Sequence, residues 1–143
     1  MKYLAVDYGN KRTGLAVCDR DETMASPLSV IHEPSRVIQA IVDVIEEVGI
    51  EGIVIGLPLN MDDSEGFQAK RVREFGRILS KKVEVPILFH DERLSSFSAS
   101  EKLATMSLTW SRRKKRLDAV AAAEILEGFL EHKRDMTGRR DTL

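Results

Sequence analysis

Residues 4–17 read LAVDYGNKRTGLAV. An apolar run takes a carboxylate at Asp7, breaks into Gly9-Asn10-Lys11-Arg12, and resumes at Thr13. The first half is apolar on both faces, the pattern of a central strand. The break is a turn, so the stretch predicts a β-hairpin. A carboxylate inside a central strand is costly without a partner. A basic turn directly after it points to an anionic ligand at that sheet edge.

Working outward, a third short strand is expected near Leu28 to Ile31. A helix opens at Pro34, with Val37, Ile38, Ile41, Ile45 and Val48 on one face, and Gly49 closes it. GIVIGLP, residues 52–58, is a fully apolar strand. A helix is expected from about Ser64 to Lys81, and PILFH (86–90) is a further strand running into Asp91-Glu92-Arg93. Ser98 and Glu101 stand at capping-box spacing in a short helix over 95–104. Thr105 to Arg116 reads as an irregular loop, and the last helix runs from Leu117 to His132. The order β-β-β-α-β-α-β-α-α predicts an α/β fold: a five-stranded mixed sheet, three strands antiparallel and then parallel, flanked by helices. One domain over 1–133 with a polar, flexible tail at 134–143 is expected.

Composition narrows the class. There is no run of about 18 apolar residues and no signal-peptide pattern, so a cytoplasmic protein with no membrane span is expected. The single cysteine, Cys18, reads as a small core residue, and no Cys/His spacing suggests zinc. Formal net charge is −1. Its distribution is uneven: residues 1–104 carry 13 Lys/Arg against 17 Asp/Glu, whereas 105–143 carry 9 against 6. Arg112, Arg113, Lys114, Lys115 and Arg116 are consecutive, reading either as a solvated run or as a phosphate clamp.

Three carboxylates stand out. Asp7 ends a central strand, Glu92 lies just past another, and Asp118 opens a helix whose face continues through Ala122, Ile125 and Phe129. If the two strand ends share an edge, all three converge. Converging carboxylates repel and are costly to desolvate, and a cation resolves this. Oxygen-only ligands suit Mg²⁺ or Mn²⁺, one ion or two. Each acid also has a plainer reading: Asp118 as a first-turn acid favoured by the helix dipole, Glu92 as a surface partner of Arg93. Asp91 would point opposite to Glu92. His90 is expected at a strand end with a structural hydrogen bond. Lys70, Arg73 and Arg77 read as a solvent face, and Trp110 as a base-stacking or anchoring residue.

Four segments taken together, VDYGNKRTGLAV (6–17), VIGLPLNMDDSEGFQAKRVREF (54–75), HDERLSS (90–96) and RLDAVAAAEIL (116–126), resemble the YqgF/RuvX family of pre-16S rRNA nucleases. That family has an RNase H-like fold and is related to RuvC-type Holliday junction resolvases. The resemblance implies Asp7, Glu92 and Asp118 as catalytic, metal-binding acids. It implies Lys11, Arg12 and Arg93 as basic residues at the site mouth, with Asn60 lining it from the loop after GLPL. The implied partner is nucleic acid: the 5′ leader of pre-16S rRNA, with ribosomal precursor particles, or branched DNA. A junction resolvase implies a homodimer, and an RNA-trimming enzyme works as a monomer. Two features depart from the relatives. RuvC-like proteins place an acid near VIGLP and often a fourth acid one turn before the last; here the first region has none before Asp62, and Lys115 stands three residues before Asp118. Asp63 occupies a position where glycine is usual. DYGNKRTG also resembles the first phosphate loop of the sugar kinase, actin and Hsp70 ATPases, which need a second such domain. A non-catalytic nucleic-acid-binding assembly factor is the third reading.

Overall fold

The computed structural model of the chain describes residues 1–94 and 117–141. The expected hairpin forms as β1 (Tyr3–Tyr8) and β2 (Thr13–Cys18), pairing antiparallel with Asp7 opposite Gly14. β3 (Ala25–Ile31) extends the meander and begins earlier than expected. It holds Pro27 because it is an edge strand, where a missing N–H breaks no ladder, and Leu28 bulges out of register. A single turn at Pro34–Arg36 leads into α1 (Val37–Val44), and a widened turn, Ile45–Gly49, ends it with Gly49 at φ 79°.

β4 (Gly52–Leu57) is buried along its whole length and lies parallel to β1. α2 (Phe67–Ser80) follows, and then β5 (Ile87–Asp91), parallel to β4. A 3₁₀ turn covers Glu92–Leu94, and α3 spans Leu117–Asp141. The strand order is β3-β2-β1-β4-β5. The C-terminal ends of β1, β4 and β5 therefore share one sheet edge, the edge that the convergence of acids requires.

Strand alternation sorts the core into two layers. Leu4, Val6, Leu15, Ile53 and Ile55 face α1 and α2, meeting Val37, Ile41, Val72, Phe75 and Leu79. Tyr3, Ala5, Ala16, Cys18 and Val54 face α3, meeting Ala122, Ala123, Leu126 and Leu130. The small side chains of that second layer let the helix approach the sheet closely.

α3 continues past its expected end at His132 to Asp141. The Lys133 ammonium donates to Glu22 Oε1 at 2.7 Å and Tyr3 Oη at 3.0 Å, and Arg134 donates to the Glu22 carbonyl at 3.1 Å. These tethers hold the polar extension against the far end of the sheet. Cys18 is buried as expected, its sulfur accepting from the Tyr3 N–H at 3.2 Å. The helix over 95–104, the loop over 105–116, Trp110 and the basic run Arg112–Arg116 lie outside the described residues. Among the described residues no helix is long and apolar enough to cross a membrane.

Candidate active site

Asp7 follows Tyr3 and Ala5 on the face of β1 covered by α3, at the C-terminal edge of the sheet. Beyond it the chain turns sharply. The Gly9 N–H donates to the Arg12 carbonyl at 3.1 Å, and a Cβ on Gly9 would stand 2.4 Å from that oxygen. Only glycine fits this turn. It curls Lys11 and Arg12 into the wall of an open cleft of about 440 Å³ that also contains Asp7 and Ala121 of α3.

Glu92 reaches the same edge from β5. A Cβ at Gly56 of β4, the strand between, would lie 2.8 Å from Glu92 Oε1 and 2.5 Å from Ile125 Cδ1. The bare glycine is thus what lets the carboxylate and the helix close over the sheet. Burial, then the charge of Asp7, then that of Asp91 push the Glu92 carboxyl above its usual range. Asp118 is placed by its backbone as the second residue of α3. It precedes Ala121 by one turn, on the helix end that stands over the Asp7 cleft.

Asp7 and Glu92 are brought together, and the start of α3 is at the same edge. Among the described residues no group of three metal-ligating side chains is assembled. The two acids nevertheless suit a hard divalent cation. They are oxygen donors, they are close enough for mutual repulsion, and Gly56 lets the Glu92 carboxylate lie against the sheet at that edge.

The remaining expected residues fall elsewhere. Arg93, expected at the mouth, turns away to Asp91 Oδ2 and Asp63 Oδ1, each at 2.7 Å, and to the Asn60 carbonyl at 2.9 Å. Asn60 does not line the Asp7 cleft; its side chain donates to Ser64 Oγ at 3.0 Å within its own loop. Asp91 points away from Glu92, as strand alternation requires, and its hydrogen bonds with Arg93 hold its carboxyl below the usual range. His90 is buried edge-on to Phe129, with ring centroids 6.0 Å apart. Its Nε2 finds no hydrogen-bond partner among the described residues, where a structural bond was expected. Burial lowers its pKa, so the ring is held neutral. Arg73 pairs with Glu65 and Arg77 with Glu74, on an exposed helix face.

Sequence reasoning missed Gly56 and Ala121. Gly56 carried a signal, an isolated glycine inside an apolar strand, which marks close approach of a neighbour. Ala121 carried none beyond its helical spacing from Asp118.

Residues 1–132 match the RuvX family, described as Holliday junction resolvase. The chain belongs to the RuvX family. A relative from Maridesulfovibrio salexigens named "Putative pre-16S rRNA nuclease" is 40% identical over 132 residues, covering 91% of this chain and 98% of its own. One of the same name from Chloroflexus aurantiacus is 38% identical over 142 residues, covering 98% and 93%. Among solved structures, Thermus thermophilus RuvC in complex with a Holliday junction substrate superposes with a TM-score of 0.62 at 16% identity, covering 93% of this chain and 96% of that one. The fowlpox virus Holliday junction resolvase gives 0.56 at 11% identity, covering 92% and 99%. This RuvX chain therefore has the RNase H-like fold and belongs to a family of nucleases.

Proposed function

We propose that this RuvX protein is a divalent-metal-dependent phosphodiester hydrolase that processes the 5′ end of pre-16S rRNA during ribosome assembly in the cytoplasm. The observation that carries this reading is the meeting of Asp7 and Glu92 beside Gly56, under the start of α3. Asp7, Glu92 and Asp118 would hold one or two Mg²⁺ or Mn²⁺ ions. A cation bound there supplies an activated water and offsets charge on the leaving oxygen.

The chain's own residues do the rest. Asp7 is fixed by a central strand. The Glu92 carboxyl, raised above its usual range by burial and then by Asp7, would be a ligand whose affinity for the cation depends on pH. Lys11 and Arg12, in the wall of the cleft, hold the phosphate beside these acids. Arg112 to Arg116, which end two residues before Asp118 in the chain, would add phosphate contacts. Such contacts give affinity and salt dependence rather than sequence specificity.

The curated relatives' name supports the RNA substrate. Branched DNA is the second reading, favoured by the family's description and by the likeness to RuvC. The test sets a 5′-extended 16S leader RNA against a synthetic four-way DNA junction, each with Mg²⁺, Mn²⁺ or EDTA. RNA cleavage that needs the cation and is abolished in Asp7→Asn is the expected result. Cleavage that survives Asp7→Asn removes the metal-site assignment. Cleavage of the junction alone selects the second reading, and binding of RNA without cleavage selects a non-catalytic assembly factor.

A further inference from the structure

We propose that Arg93 is a positioning residue for Glu92, clamping the loop after β4 to the turn that carries that acid. The inference rests on Glu92 acting as proposed above, and it gives Arg93 a role other than phosphate contact.

The guanidinium is a fixed planar fork of five N–H donors. Its Nε donates to both oxygens of Asp91, at 3.0 and 3.1 Å. Nη2 bridges Asp91 Oδ2 and Asp63 Oδ1, and Nη1 reaches the Asn60 carbonyl. The Arg93 backbone N–H also donates to Asp91 Oδ1, at 3.0 Å. Asp91 and Arg93 thus lock to each other on either side of Glu92, and together they reach into the 60–63 loop. Glu92 itself extends toward Gly56 and Ile125. Holding both neighbours of Glu92 fixes the backbone from which its carboxylate projects. A group aimed at a cation needs such a support to stay in register.

Asp63 is the second acid of the clamp. It sits at φ 69°, a left-handed conformation that a side chain rarely adopts and that Asp tolerates better than most residues. Its carboxylate, 83% exposed, pairs with Arg93, and its backbone N–H donates to the same Asn60 carbonyl at 3.0 Å. Two acids on one guanidinium raise the Arg93 pKa further and leave its fork occupied.

The discriminating variants are Arg93→Lys and Arg93→Gln. Lysine keeps the positive charge but not the fork, so it cannot join Asp91, Asp63 and Asn60. Under the clamp, both variants lower kcat by about 10-fold or more and weaken Mn²⁺ binding, measured by calorimetry, by a similar factor. Both leave KM and the salt dependence of RNA binding as in wild type. Both also speed amide hydrogen exchange over residues 60–66 and 91–94. Asp63→Asn, which keeps an acceptor and tolerates the same backbone, loses less, and its effect is not additive with Arg93→Gln.

A phosphate contact predicts otherwise: Arg93→Lys close to wild type, and Arg93→Gln flattening the salt slope by about one unit. That result overturns the proposal, as does unchanged amide exchange. If the wild type neither cleaves nor binds Mn²⁺, the proposed function fails. Exchange across 91–94 in the two variants still decides whether Arg93 orders the Glu92 turn.

Discussion

Glu92 does not sit in the environment of an ordinary surface acid. Its proton affinity is raised first by burial and then by Asp7. Without a cation the folded state therefore holds a proton that the unfolded chain releases. Between the ordinary carboxylate range and the raised folded value, the unfolded state binds fewer protons, so stability falls as pH rises through that window. Glu92→Gln removes the cost. In EDTA at neutral pH the variant should melt a few degrees higher than wild type, with the gain vanishing below about pH 4, where both states are protonated. Thermal melts from pH 3.5 to 8 read this directly. Added Mn²⁺ should stabilise wild type and not the variant, reversing their order. Lys11 and Arg12 act differently: each changed to Ala should weaken RNA binding and reduce the salt slope by about one unit, read by titration at several salt concentrations.

At the scale of elements, the site exists because β4 offers no side chain at position 56. Gly56→Ala places a methyl group against Glu92 and Ile125 at distances no relaxed Cβ adopts. Overpacking of this kind costs about 1–3 kcal/mol. Denaturant melts should show that loss. Cleavage should fall further than stability predicts, because the displaced group is the carboxylate. α3 is the second element of consequence. It seals one layer of the core through Ala122, Leu126 and Leu130, and the same helix begins with the residues around Asp118.

Over the whole molecule, the two core layers have unequal consequences. Ile41 and Leu126 are both fully buried, the first on α1 and the second on α3. Either residue changed to Ala should cost about 2–5 kcal/mol. Assayed well below its melting temperature, Ile41→Ala should keep near-normal kcat, since α1 carries no residue of the site. Leu126→Ala should lose kcat as well, because it loosens the helix whose Ala121 walls the Asp7 cleft and whose Ile125 packs at Gly56. Equal activity in the two variants would separate α3 from the chemistry.

The sequence by itself determined the five strands, the helices α1, α2 and α3, and their order, because apolar runs and turn residues act locally. It also marked Asp7, since a charge in a central strand needs a partner wherever that strand ends up. It placed the end of α3 at His132; the next two residues, Lys133 and Arg134, bond to Tyr3 and Glu22, more than a hundred residues away in the chain. The meaning of Arg93 was likewise out of reach. A basic residue beside an acid has the same spacing whether it faces a phosphate or a loop, and only the fold brings Asp63 and the Asn60 carbonyl to its fork. Gly56 stands inside a fully apolar strand, and only the fold brings α3 and Glu92 to close over it. The order of the elements implied parallel strands, but the tertiary structure decided that Asp7 and Glu92 share an edge, because that depends on β4 lying between β1 and β5. Which strand lies beside which is a long-range choice that no local pattern of residues encodes.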